Sequence, residues 1–241
     1  MKHLSSLLLL ASVTWASAAR GQGGGAPVGW VKLSADVPIR SRWSWYSEVE
    51  TRQGNAQLSP QHLGRLGFRW RVAPSLSLTT GYVLAANERP DGARAPEHRF
   101  YQEIALADAS GPVRAGHRLR AEGRWLRPGP ETAFRFAPRL RYQLRLVVPL
   151  RPGGLLPVGG LFLVAANEVF AGLGPRNGRS FLEENRASAG LGYRVSSRAT
   201  VEMTYLHQSQ AAGMAGQSLT RNAVQVSVAV ATPNRVALVR Q

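Results

Sequence analysis

Apolar and polar side chains alternate with a period of two along almost the whole chain beyond residue 28, whereas helical 3.6-residue spacing with caps is scarce. The run 134–148 carries the pattern best. There Phe134, Phe136, Leu140, Tyr142, Leu144, Leu146 and Val148 share one face, and Arg135, Arg139, Arg141, Gln143 and Arg145 share the other. A soluble strand usually has about 5 or 6 residues, so this run is longer than a small solvated sheet needs. Residues 63–72 repeat the pattern, with Leu66, Phe68, Trp70 and Val72 against Arg65, Gly67, Arg69 and Arg71. Residues 113–126 set Leu119, Ala121, Gly123 and Trp125 against Arg118, Arg120, Glu122 and Arg124. Weaker alternation predicts further strands at 29–37, 43–52, 76–84, 97–107, 155–170, 184–195, 199–207 and 222–231. In 155–170 the facing stays open, because Asn167 and Glu168 are adjacent and one of them must turn to the apolar side.

The connections alternate in length. Short ones fall near Pro38, Pro74, Gly111-Pro112, Arg151 to Gly154 and Ser196-Ser197, and longer polar ones at 53–61, 87–96, 127–132, 171–180 and 208–220. Short turns at one end and long loops at the other predict an all-β fold, an up-and-down antiparallel transmembrane β-barrel of ten to twelve strands. Eleven segments are visible, yet bacterial single-chain barrels have even counts. Either residues 29–37 stand outside the ladder or residues 235–240 supply a twelfth strand, and parity favours ten.

Met1-Lys2-His3 precede an apolar stretch from Leu4 to Trp15, followed by the small residues Ala16-Ser17-Ala18. This reads as a secretory signal peptide over residues 1–18, then a flexible leader 19–28 and a single barrel domain 29–241. The Gly-rich run Arg20 to Gly25 cuts the apolar stretch short of a spanning helix. With no other apolar run of that length, entry into a membrane requires a closed barrel, and export points to the bacterial outer membrane.

Composition sharpens this. The chain of 241 residues has 30 Lys+Arg against 14 Asp+Glu, a formal charge of +16, and every basic residue except Lys2 and Lys32 is Arg. The absence of Cys excludes disulfides, thiolate metal sites and a Cys nucleophile. Export makes nucleic acid an unsuitable partner despite the charge. The expected partners are outer-membrane lipid, the outer-membrane assembly machinery during biogenesis, and small anionic solutes.

If the apolar faces meet lipid, the charged faces line a lumen. Arg65, Arg69, Arg99, Glu103, Arg118, Arg120, Glu122 and Arg124 are assigned there, with Arg135, Arg139, Arg141, Arg145, Glu184 and Arg186. Charges in a narrow lumen must be paired or hydrated. One reading is therefore an Arg/Glu ladder bracing a closed structural envelope barrel, and another is a basic, porin-like channel that passes or binds anions. An outer-membrane lipid hydrolase or deacylase is the alternative from another class, with His98 beside Glu97, His117, and His207 near Ser209 as the candidates. No Ser has a nucleophile context, and the five His have no metal-ligand spacing. No catalytic, metal or cofactor residue is assigned. Trp43, Trp45, Trp70, Tyr82, Trp125, Tyr142, Tyr193 and Tyr205 fall on the lipid face, as an interfacial girdle would.

Several stretches also resemble a bacterial family defined only as a domain of unknown function and predicted to form outer-membrane β-barrels. They are Arg65-Leu66-Gly67-Phe68, Gly81-Tyr82, Glu97-His98-Arg99, Arg118-Leu119-Arg120-Ala121-Glu122, Arg139-Leu140-Arg141-Tyr142, Asn167-Glu168-Val169-Phe170, Glu184-Asn185-Arg186 and Ala189-Gly190-Leu191-Gly192-Tyr193. Their order and spacing cover nearly all of residues 30–230. The resemblance implies a fold and a location, and no activity. Many such barrels end in an aromatic residue, whereas this chain ends Val239-Arg240-Gln241.

Overall fold

The computed structural model describes residues 27–54, 59–88, 94–127, 129, 131–151, 156–174, 181–211 and 219–231. The leader up to residue 26, Gly153-Gly154 and the candidate strand 235–240 lie outside the described residues. Every regular element described is a strand: β1 (Val28–Arg40), β2 (Trp43–Arg52), β3 (Gln61–Arg71), β4 (Leu76–Glu88), β5 (Arg94–Ser110), β6 (Val113–Leu126), β7 (Arg135–Phe136), β8 (Arg139–Pro149), β9 (Leu161–Gly172), β10 (Leu182–Arg194), β11 (Ala199–Gln210) and β12 (Leu219–Ala231). Neighbours pair antiparallel from β1 to β6, β6 pairs with β8, and the meander runs on to β12, which pairs with β1. The result is a closed barrel of eleven strands, with β7 a short addition on β6.

The even-count expectation is corrected here. Residues 29–37 belong to the ladder, and β1 joins β12 in parallel, from Val28 opposite Ala223 to Asp36 opposite Ala231. The reason is geometric. Up-and-down strands alternate in direction, so an odd number brings the first and last strands to the seam running the same way.

The run 134–148 is also divided. Pro138 has no backbone N–H to give to a ladder, so β7 stops at Phe136 and β8 starts at Arg139. The segment predicted from residue 155 begins only at Leu161. Residues 156–160 form a turn with Gly159 at φ 80°, held by Arg194 Nη1 donating to the Leu156 carbonyl at 2.5 Å. Elsewhere the turns are tight. Gly111, at φ 58°, adopts the left-handed conformation that closes the two-residue connection between β5 and β6.

Alternation decides facing in every long strand. Leu66, Phe68 and Trp70 of β3, Leu191 and Tyr193 of β10, and Met203 and Tyr205 of β11 are exposed on the outside. Aromatic pairs gather toward both ends of this surface. Trp43 stacks on Trp70 with centroids 5.7 Å apart near the short turns, and Trp125 contacts Phe100 at 5.9 Å and Phe136 at 5.0 Å near the long loops. Inside, three small apolar clusters form between charged layers. One joins Val147, Leu156, Phe162 and Val164, another Leu63, Val83, Ala85 and Tyr101, and the third Trp30, Leu206 and Ala223. Tyr101 can lie against the wall because Gly67 and Gly81 leave room: a Cβ at either would stand 2.6 Å from its hydroxyl.

Candidate functional site: the charged interior

Strand parity carries the charged side chains inward. Arg65 and Arg69 of β3, Arg99 and Glu103 of β5, Arg118, Arg120, Glu122 and Arg124 of β6, Arg139, Arg141 and Arg145 of β8, and Glu184 and Arg186 of β10 are buried or half-buried. Arg135 departs from the sequence assignment. It is exposed on the two-residue β7, because the break at Pro138 ends the strand before the barrel wall can enclose it. Asp36, Glu48, Glu50, Arg52, Glu97, Glu168 and Arg221 are buried with the others.

These charges form a chain of ion pairs around the wall. Arg65 Nη1 donates to Glu48 at 2.5 Å and Arg52 Nε to Glu50 at 2.7 Å. Glu97 accepts two bonds from Arg99, at 2.9 and 3.0 Å, and one from Arg124. Glu122 accepts from Arg139 at 2.6 Å and from Arg141 at 2.7 Å, and Arg141 also reaches Glu168 at 2.8 Å. Glu168 takes Arg118 at 2.7 Å, Glu103 takes Arg120, and Glu202 takes Arg145 at 2.6 Å. Asp36 pairs with Arg69, and Glu184 with Arg186. Such forks suit Arg better than Lys, because a planar guanidinium can serve two carboxylates at once.

Aromatic rings stand between the guanidiniums. Trp30 lies 4.5 Å from Arg52 and 5.3 Å from Arg186, and Phe170 lies 4.6 Å from both Arg141 and Arg186. Tyr101 lies 4.5 Å from Arg120. Sequence reasoning assigned eight aromatics to the outside and left these three unassigned. Their signal was strand parity: Trp30 shares its side with Lys32 and Asp36, Tyr101 with Arg99 and Glu103, and Phe170 with Glu168.

Among the described residues the interior holds a larger and a smaller cavity. The larger, about 430 Å³, is lined by Lys32 and eight arginines against six carboxylates, and it reaches residues beside the short turns, including Ser75, Ala107 and Ala231. Along β1, β11 and β12 its lining is mostly small, with Ser34, Thr200, Thr204, Ser227 and Ala229 beside Lys32, Asp36 and Glu202. The smaller, about 210 Å³, lies toward the long loops, with six arginines against Glu97 and Glu184. Arg52, Arg141 and Arg186 line both, and so form the waist between them.

The hydrolase candidates are outward and separately engaged. His98 bonds Tyr82 OH, His117 lies 2.8 Å from Tyr142 OH, and His207 lies 2.8 Å from Asn222. Glu97, on the opposite face from His98, is held by Arg99 and Arg124. The question left open at Asn167 is resolved too. Glu168 points inward, and Asn167 exchanges reciprocal 3.2 Å hydrogen bonds with Asn185 outside. Among the described residues no cluster of three or more His, Asp or Glu could hold a metal ion.

A closed eleven-strand barrel with an arginine-rich, ion-paired interior is thus the class of protein present. The chain belongs to the family described as "Protein of unknown function (DUF2490)", whose model matches residues 28–217. It is also similar to an uncharacterized protein of Methylorubrum extorquens, with 32% identity over 221 residues that cover 88% of this chain and 90% of the relative.

Proposed function

We propose that the protein is an outer-membrane β-barrel that admits small anionic solutes into a basic interior, porin-like in architecture and narrowed at a waist. The observation that carries this is the larger cavity, where nine cationic side chains face six carboxylates. Excess positive charge in a confined, partly desolvated space favours anion entry. In barrels of this kind short turns lie on the periplasmic side, which gives the larger cavity a periplasmic mouth. The apolar outer face with aromatics toward both ends suits contact with outer-membrane lipid.

A second reading is favoured by the pairing itself. Each buried interior carboxylate has an arginine partner, as a brace for a closed structural barrel would require. Purified full-length protein in a planar bilayer separates the two. Under a KCl gradient the reversal potential should shift toward that of chloride. Cation preference, or a silent barrel that binds no anion, would leave the arginines a bracing role alone. A lipase and deacylase assay on outer-membrane lipids with the same preparation tests the hydrolase alternative.

A further inference from the structure

We propose that the waist holds a site for a phosphate-class oxyanion, built around Trp30 by Arg52, Arg186 and Arg221; this rests on the anion reading above and names where and what the interior binds. The three guanidinium carbons lie 4.5, 5.3 and 5.9 Å from the indole centroid, so three positive charges share one ring. Among the described residues carboxylates match two of them. Glu50 takes Arg52 Nε at 2.7 Å, and Glu184 takes Arg186 Nε. Arg221 donates through Nη2 to the Ser59 carbonyl at 3.1 Å, and among the described residues no carboxylate pairs with it. A buried cation with no carboxylate paired to it favours an accompanying anion.

Unused donors surround the same ring. Trp30 Nε1 and Arg221 Nε are buried without a hydrogen-bond partner, on residues only 1% and 5% exposed. Among the described residues Arg186 bonds through Nε alone, and Arg52 uses Nε on Glu50 and Nη1 on Gln61, leaving Nη2. Arg141, the third arginine of the waist, has every nitrogen engaged by Glu122 and Glu168, so it braces the site and does not grip the ion. Arg52 and Arg186 line both cavities, which lets an ion reach them from either side. Converging guanidinium forks suit the tetrahedral oxygens of phosphate, which accept several such pairs together. The indole face holds the cations close to one another while carrying no charge of its own.

Titration calorimetry of the full-length protein in detergent with inorganic phosphate tests the site. Saturable binding is expected, weakened about tenfold or more by Arg186→Gln, the loss of a charge-assisted fork. Arg135→Gln should change it by less than about twofold, because Arg135 is exposed on β7 and lines neither cavity. Heat-modifiable migration checks that each variant is folded. Should the Gln variant not fold, Arg186→Lys serves, since it keeps the charge, loses the fork and should still weaken binding. Phosphate binding that survives Arg186→Gln or Arg186→Lys unchanged overturns the site and leaves the anion reading intact. A wild-type protein that prefers chloride in bilayers but binds no phosphate overturns the site alone, and one that does neither overturns both.

Discussion

Glu122 is shared among three arginines of the interior. Its two oxygens serve Arg139 and Arg141, Arg120 lies 3.9 Å away, and its side chain has no solvent exposure. Replacing it with Gln leaves the buried Arg139 without its paired anion and Arg141 with Glu168 alone, for which a cost of about 3–5 kcal/mol is expected. Glu202 is the contrast: it serves Arg145 alone and keeps 16% exposure, so Glu202→Gln should cost well under half as much. Urea unfolding in detergent measures both, and equal losses would mean that sharing at Glu122 contributes nothing. Residues of this kind were legible in the sequence because Arg and Glu alternate with Leu, Phe and Trp in β3, β6 and β8. Trp30, Tyr101 and Phe170 were not, since residue type argued for the lipid face while strand parity argued for the interior. Parity won because guanidiniums inside the barrel provide a face-on partner for each ring.

At the scale of the strand, the weakest joint is the seam of β1 and β12. Parallel pairing is slightly less stable per residue than antiparallel pairing, and Arg221 is the only charged residue in β12, so little electrostatic bracing crosses it. The interior side of the seam sets Lys32 opposite Ser227 and Ser34 opposite Ala229. A chain without Cys offers a clean test. Neighbouring strands stand about 4.8 Å apart, within the roughly 4.4–6.8 Å that a disulfide spans between Cα atoms. Ser34→Cys with Ala229→Cys should therefore cross-link on oxidation and shift the migration of the denatured chain, while either single change should not. No cross-link in the folded barrel would contradict the parallel register and the eleven-strand count. Nothing in the local pattern revealed that seam, because the direction in which two distant strands meet depends on the parity of all the strands between them. Pro138, by contrast, stood in plain view, yet alternation continues on both sides of it and hides the break.

For the whole molecule, the waist decides between a chamber and a passage. The spaces of about 430 and 210 Å³ share Arg52, Arg141 and Arg186 in their linings, with Trp30 and Phe170 as buried plates against which those arginines lie. Each cation–π contact contributes about 0.5–2 kcal/mol, so the two buried rings help to hold the guanidiniums of the waist in place. Trp30→Ala combined with Phe170→Ala removes both plates and leaves every charge in place. Planar-bilayer recordings should then show larger conductance steps than the unmodified protein, with the reversal potential in a KCl gradient still displaced toward chloride. On the proposed function the preference should persist, because the double change leaves the excess of arginine over carboxylate along the wall untouched. Equal conductance before and after would show that the restriction lies elsewhere along the lumen. Larger steps accompanied by lost anion preference would place the selectivity in the geometry of the waist and not in the charge of the wall.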